Sequence, residues 1–349
     1  LFLSKETIEV GTPSIIDEKF RDHLFDDFLS EDDFDRVLSK VLPSFIPLFF
    51  VENFILYETN LLNQCCSGIF KTILTAQSLY FSDPINMWMM LQKVNFSSSI
   101  LISQHGGGYG ISQTLRQENH ERECSHKFIT WGWRSDSERD LPLPAIQLVN
   151  LKIPYRSDAR KILFIRTDRS AYNLISSAPC LENQRQKYHD EAISFIHSLE
   201  PELQDKIQVK LHSNSKTTLN ENQREQFGHF TPKDNPLLQE MSENFQFFIV
   251  DYPGTSFLQL ISHNIPFIMI WDEEIFPLRE QAKNPFQKLV DGKIVHKNHA
   301  SANQLLENNV DSLEDWWLED DRQKVISEFS NAFCRFSEDW AREWNDFLA

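Results

Sequence analysis

FQFFIVDYPGTSFLQLISHNIPFIMIW, residues 245–271, decides the fold. Its two ends, FQFFIVDY (245–252) and IPFIMIW (265–271), are apolar at nearly every position, while TSFLQLISHN (255–264) between them has helical spacing. Strands that are apolar on both faces and joined by an amphipathic helix belong to a parallel sheet covered on both sides. The alternation extends upstream through KILFIRT (161–167) as strand, QKYHDEAISFIHSL (186–199) as helix, IQVKLH (207–212) as strand and NPLLQEMSEN (235–244) as short helix. The second half of the chain therefore reads as a doubly wound α/β domain. In such sheets ligands bind beyond the carboxyl ends of the strands. Asp251 stands at one such end, and a Pro-Gly turn then leads to Thr255 and Ser256 at a helix start. Free N–H groups and hydroxyls there can hold a phosphate, although Thr255 could equally be a plain N-cap. Arg166, Asp168 and Arg169 follow the strand 161–167, and Arg279 follows the strand ending at Trp271. Arginine forks suit phosphate and carboxylate; a structural ion pair of Asp168 with either neighbour is the plainer alternative.

Working outward, SSSILIS (97–103) reads as a buried strand and runs into QHGGGYG, Gln104 to Gly110. The chain has only ten glycines, and Gly106, Gly107, Gly108 and Gly110 are four of them. Bare backbone between a strand and a helix can expose N–H groups to an anion or admit a close neighbour. The spacing is not the GxGxxG of a dinucleotide fold, and the acidic residue that should end the next strand is missing from TWGW (130–133). An HGGG oxyanion loop of a lipase would need a GxSxG serine, which is also missing. A transferase cleft, or a tight turn without a ligand, remains. His105 at the strand end, with Glu118, His120 and Glu121 in the polar stretch that follows, can exchange protons near neutral pH. Glu118 and Glu121 share a face if that stretch is helical, and an exposed charged surface is the other reading.

The remaining pattern is coarser. Residues 14–40, 54–80 and 84–94 look helical, 127–133 (KFITWGW) looks like a strand, and 134–160 has the prolines and charges of a linker. Residues 321–348 form a long helical stretch with Phe329, Phe333, Phe336, Trp340 and Trp344 in step. The expected domains are 1–150, 151–320 and a C-terminal helix, 321–349. Residue 1 is Leu, as in a piece whose start is absent.

Among 349 residues, 34 are basic and 51 acidic, for a net charge of −17. No basic footprint for nucleic acid is visible. The acidity gathers at the two ends and suits solvated helix faces. Cys65, Cys66, Cys124, Cys180 and Cys334 form no CxxC pair, so neither a disulfide framework nor a zinc site is expected, and a reducing compartment fits. The apolar run 41–57 is broken by Pro43, Pro47 and Glu52, too short and interrupted to span a bilayer.

QHGGGYG, then ENHE, then TWGW, then TSFLQLISHNIPFIMIW and a Trp pair resemble the transferases of O-antigen and surface-polysaccharide gene clusters, from about residue 40 to the end. More distantly the chain looks like CDP-glycerol glycerophosphotransferases and bacterial Kdo transferases. The resemblance implies a GT-B arrangement: two Rossmann-like domains facing a cleft, with the last helix crossing back to the first domain. It implies that Thr255 and Ser256 contact the donor phosphate and that His105 with the glycine loop faces the reacting centre. Together with the strand-end residues, the expected donor-binding set is Gly106, Gly107, Gly108, Tyr109, Arg166, Asp168, Arg169, Asp251, Thr255, Ser256 and Arg279. His105, Glu118 and Glu121 are the expected catalytic groups. No DxD signature stands at a strand end, so a metal-independent glycosyltransferase without a cofactor is expected. Its donor would be a nucleotide-activated sugar, such as CMP-Kdo, and its acceptor a glycan or lipid-linked glycan. A cytoplasmic enzyme at the inner membrane face, with peripheral contact left open, fits this reading. A sugar-nucleotide epimerase or hydrolase, or a non-catalytic glycan-binding assembly subunit, is the alternative.

Overall fold

The computed structural model describes residues 15–26, 30–56, 58–59, 68–135, 137–149, 153, 156–167, 182–211, 225–231, 238 and 242–348. The chain forms two compact units, Leu1–Leu101 and Ile102–Ala349, and the boundary expected at 150 falls inside the second.

In the first unit, α1 (Glu18–Asp22) is capped by Asp17 and α2 (Asp33–Phe45) by Asp32, whose carboxylate accepts the Phe34 and Asp35 N–H groups. Arg21 locks the two together. Its guanidinium binds Glu52 and donates to the Pro43 and Ile46 carbonyls, which satisfies orphan acceptors at the end of α2. The stretch 54–80, expected to be helical, contains a strand, β1 (Thr72–Thr75). Its sequence, TILT, is rich in β-branched residues that favour a strand. It lies beside β2 (Ser99–Ser103), with the Ser99 N–H on the Lys71 carbonyl. Between them runs α3 (Asp83–Phe96), whose Ser82 hydroxyl caps its first turn and which buries Met87, Trp88 and Leu91.

The second unit holds the end of β2, α4 (Arg116–Cys124), β3 (Lys127–Thr130) and β4 (Asp140–Pro142), the last two paired in parallel. The 134–160 segment is thus not a plain linker. Buried Asp140 accepts Arg122 and Ser135, and Pro142 is tolerated because β4 is an edge strand. Beyond it lies an all-parallel five-stranded sheet ordered β6 (Ile207–Lys210), β5 (Lys161–Ile165), β7 (Phe245–Val250), β8 (Phe267–Ile270), β9 (Val295–His296). Helices α5 (Glu182–Ser198), α6 (Thr255–Ser262), α7 (Glu280–Asp291) and α8 (His299–Asn309) alternate with these strands. The molecule is an α/β protein with two sheets, as expected. Strand order reverses at β5, so the crevice between the carboxyl ends of β5 and β7 is the topological switch point. Phe257 on α6 touches Phe267, Phe286 and Phe329, a cluster that seals α6 and α7 onto the sheet.

The C-terminal stretch is two helices rather than one, α9 (Asp320–Phe333) and α10 (Trp340–Leu348). The break has a cause: the Arg335 N–H donates to the Trp131 carbonyl, and its own carbonyl accepts the Ala145 N–H. Backbone given to those partners cannot continue a helix. No helix among the described residues is long and apolar enough to cross a membrane.

Candidate functional site

The glycine loop leaves β2 at Gln104, a buried residue on which two separate stretches converge. Its backbone N–H donates to the Ile129 carbonyl, and its side-chain oxygen accepts both the Trp131 N–H (3.0 Å) and the Trp133 indole N–H (2.8 Å). Its amide nitrogen donates to the Gly106 carbonyl. One side chain thus ties QHGGGYG to TWGW. Gly110 completes the fit. Its φ is +70°, and an added Cβ would stand 2.6 Å from the Trp133 ring.

The loop delivers His105 next to α4. The His105 side chain is 13% exposed, and its Nδ1 lies 3.1 Å from the Tyr109 hydroxyl and 3.8 Å from Glu121 Oε1. The Gln117 amide donates to the Tyr109 oxygen, which leaves the phenolic proton for His105. Glu121 is fully buried, and burial, with the nearby Glu118 adding to it, pushes its carboxyl up to about 8 against the opposing effect of Tyr109. Glu118, the other expected catalytic acid, is also fully buried. Its Oε2 accepts the Gly110 N–H at 2.8 Å and lies 3.3 Å from Arg279, while Arg122 stands 3.6 Å from Oε1. Burial raises its pKa, and the two arginines and the Gly110 N–H oppose that rise. Glu118 is built as a pin for the glycine loop. His120, on the outer face of α4, is exposed and lies against Cys124.

The second junction, after β7, meets the first directly. The Gly107 N–H donates to Thr255 Oγ1 at 2.9 Å. A Cβ on Gly107 would stand 2.1 Å from the Gly254 carbonyl carbon and 2.3 Å from the Thr255 nitrogen, so backbone lies on backbone there. A Cβ on Gly106 would come within 3.2 Å of Thr255 Oγ1. Two strand-to-helix turns therefore touch, with His105 one residue away and half-buried Ser256 next in line. A second tie runs alongside: the Gln113 N–H donates to the Pro277 carbonyl and the Arg279 N–H to the Ile111 carbonyl, around a Ser112–Leu278 bridge. The Arg279 guanidinium is taken up by the Ser112 and Leu115 carbonyls, Asn119 and Glu118.

At the switch point, Arg166 Nε lies 3.5 Å from Asp251 Oδ2. The Arg166 side chain is fully buried against the rings of Tyr188, Phe227 and Phe164. The Thr167 N–H also turns to Asp251. Asp168 and Arg169 lie outside the described residues. The structure thus brings His105, Gly106, Gly107, Gly108, Tyr109, Glu118, Glu121, Thr255 and Arg279 into one neighbourhood, and pairs Arg166 with Asp251 beside it. Gln104, Arg122 and Asp140 hold the arrangement and were not singled out from sequence. The one clue was that Gln104 opens the motif. Among the described residues no group of three or more His, Cys, Asp or Glu side chains is placed to hold a metal ion. Cys334 is a buried thiol, and burial pushes it up to about 12.

A family model described as LIC12162 family transferase matches residues 3–348. No curated protein matches the chain. Solved structures with some likeness include the spinosyn rhamnosyltransferase SpnG, at 11% identity and TM-score 0.44, covering 84% of this chain and 76% of that one. The glycotransferase of kitacinnamycin has 8% identity and TM-score 0.43, with 86% and 81% covered. The calicheamicin glycosyltransferase CalG4 has 9% identity and TM-score 0.38, with 93% and 83% covered. Likenesses this low add no argument about the present chain.

Proposed function

From the premise that the chain belongs to the LIC12162 family of transferases, we propose that it is a glycosyltransferase of GT-B type that uses a nucleotide-activated sugar. The acceptor in this reading is a surface glycan or lipid-linked glycan, and an acidic sugar carried on CMP, such as Kdo, is the donor form favoured. The observation that carries the reading is the contact of the two junctions. It sets a partly exposed histidine within a residue of a helix N-terminus that offers the Thr255 and Ser256 hydroxyls.

The chemistry divides between them. The acceptor hydroxyl loses its proton to His105 as its oxygen bonds to the anomeric carbon. The bond from that carbon to the donor phosphate breaks, and the nucleotide leaves with the electron pair. The start of α6, with Thr255 and Ser256, receives the phosphate charge that develops. Glu121 acts on His105 through space and through Tyr109. Glu118, Arg122 and Arg279 hold the loop, and Arg166 with Asp251 shapes the floor at the switch point. A donor grip by Asp168 and Arg169, independence from metal, and work at the inner membrane face complete the proposal.

A thermal-shift screen with CMP, CDP, UDP, GDP and dTDP, with and without magnesium, tests it. A ligand that binds only the native state raises the midpoint by mass action, so one nucleotide should stand out with no need of magnesium. A flat response to all five would sink the transferase reading in favour of a glycan-binding subunit.

Glu121 adds a pH signature. Its folded pKa of about 8 lies above the ordinary 4.5, so the stability tied to the neutral carboxyl is complete below about pH 4.5. That stability is lost as pH rises towards about 8, at no more than about 1.4 kcal/mol per pH unit. Glu121→Gln should therefore raise the melting midpoint relative to wild type, by an amount that grows from pH 5 to pH 8. Above about 8 the ionised carboxylate, 3.8 Å from His105 Nδ1, favours the imidazolium formed in the reaction. The wild-type rate should gain an alkaline limb that Glu121→Gln lacks. Parallel melting curves across that range would contradict the assignment.

A further inference from the structure

Helix α2 is built inside out. Phe34, Val37, Leu38, Val41 and Phe45 recur at i, i+3, i+4, i+7 and i+11, an apolar stripe about 100° wide. Such a stripe ordinarily faces a core, but these side chains are between 39% and 75% exposed. The helix is fixed to its own unit from the opposite side, where Pro43 is buried and its carbonyl is held by Arg21 of α1. A continuous exposed apolar face of this kind marks an interaction surface.

The charges beside the stripe say what fits it. Asp33, Arg36 and Lys40 follow one another along a single flank, all exposed, acidic at the helix start and basic towards its end. Arg36 bonds Asp33 within the helix, and Lys40 has no ion-pair partner among the described residues. We propose that this face is where two copies of the chain pair, α2 against α2, antiparallel about a two-fold axis. A two-fold contact sets each stripe against an identical stripe. Running antiparallel, it brings Asp33 of one copy to Lys40 of the other, twice by symmetry; a parallel pair would turn that flank to the partner's other flank, where Asp35 and Ser39 stand, and make no such contact. An anionic bilayer fits poorly, since Asp and Glu outnumber Lys and Arg ten to four over residues 15–56.

Sedimentation velocity of the full chain, from low micromolar to the highest soluble concentration, tests the pairing. The expected species has twice the chain mass at the upper end. Val41→Glu should weaken association at least tenfold, and so should Phe34→Glu, which serves if the first variant folds poorly. Both positions are exposed, and a melting midpoint unchanged at dilution, where wild type is a monomer, shows that the fold is intact. Lys40→Asp should also weaken pairing, and adding Asp33→Lys to it should restore the dimer, because the swapped charges meet again only in the antiparallel arrangement. A monomer at every concentration, a dimer indifferent to both stripe variants, or a charge swap that fails to restore pairing would each overturn the proposal. A monomer that co-floats with neutral phosphatidylcholine vesicles through the same stripe would overturn it too, and would assign the face to a membrane.

Discussion

His105→Ala is expected to lower sugar transfer by about 10²–10⁴-fold, the usual worth of a positioned general base, with donor binding unchanged. The separation follows from where the groups sit. The donor phosphate is assigned to the start of α6, whereas His105 meets Tyr109 and Glu121 on the α4 side of the loop. Alanine keeps the backbone that packs against Thr255 and removes only the ring. The loss should therefore fall on kcat, and the thermal shift produced by the nucleotide should survive. Tyr109→Phe, which removes the hydroxyl 3.1 Å from the ring, should fall between wild type and His105→Ala. Transfer at the wild-type rate by His105→Ala would remove the histidine from the chemistry. Loss of nucleotide binding together with activity would mean that the loop and the donor site are one unit, with no separate base.

Much of this arrangement is legible in the sequence because parallel strands buried on both faces announce themselves. FQFFIV and FIMI have no polar face to hide, and both are central strands. The strand β4 was not legible, since DLP is held by pairing with β3 and by a buried aspartate rather than by its own propensity. The break after α9 was hidden for a similar reason: the apolar spacing continues across it, and only the distant Trp131 and Ala145 backbones interrupt the helix. At the site, the residue types were readable but their division of labour was not. Glu118 and Glu121 look alike along α4, yet one holds the Gly110 N–H between two arginines and the other lies against His105. Arg166 and Arg279 were read as strand-end forks suited to an anion, and each is engaged by groups of the protein itself, because burial of a guanidinium cannot be read from strand ends alone.

Gly107→Ala should be the most damaging alanine substitution among the described glycines whose added carbon meets backbone. The added carbon would meet the Gly254 carbonyl carbon at 2.1 Å, the Thr255 nitrogen at 2.3 Å and the Gly254 oxygen at 2.5 Å, all of them backbone. No rotamer can relieve that, so one junction must move and the Gly107 N–H must leave Thr255. Overpacking of this kind costs about 1–3 kcal/mol or more, a fall of roughly 2–6 °C in the melting midpoint for a unit of this size. Nucleotide binding should weaken with it, because the start of α6 is what the methyl displaces. Gly106→Ala should be milder, since its Cβ would meet only the Thr255 hydroxyl at 3.2 Å, and Gly228→Ala, with nothing within 4 Å, should be neutral. That order separates close packing from any general intolerance of alanine. If Gly107→Ala melted and bound nucleotide like wild type, the two junctions would not be in contact in solution. The glycines would then have to be explained by what binds them rather than by what packs on them.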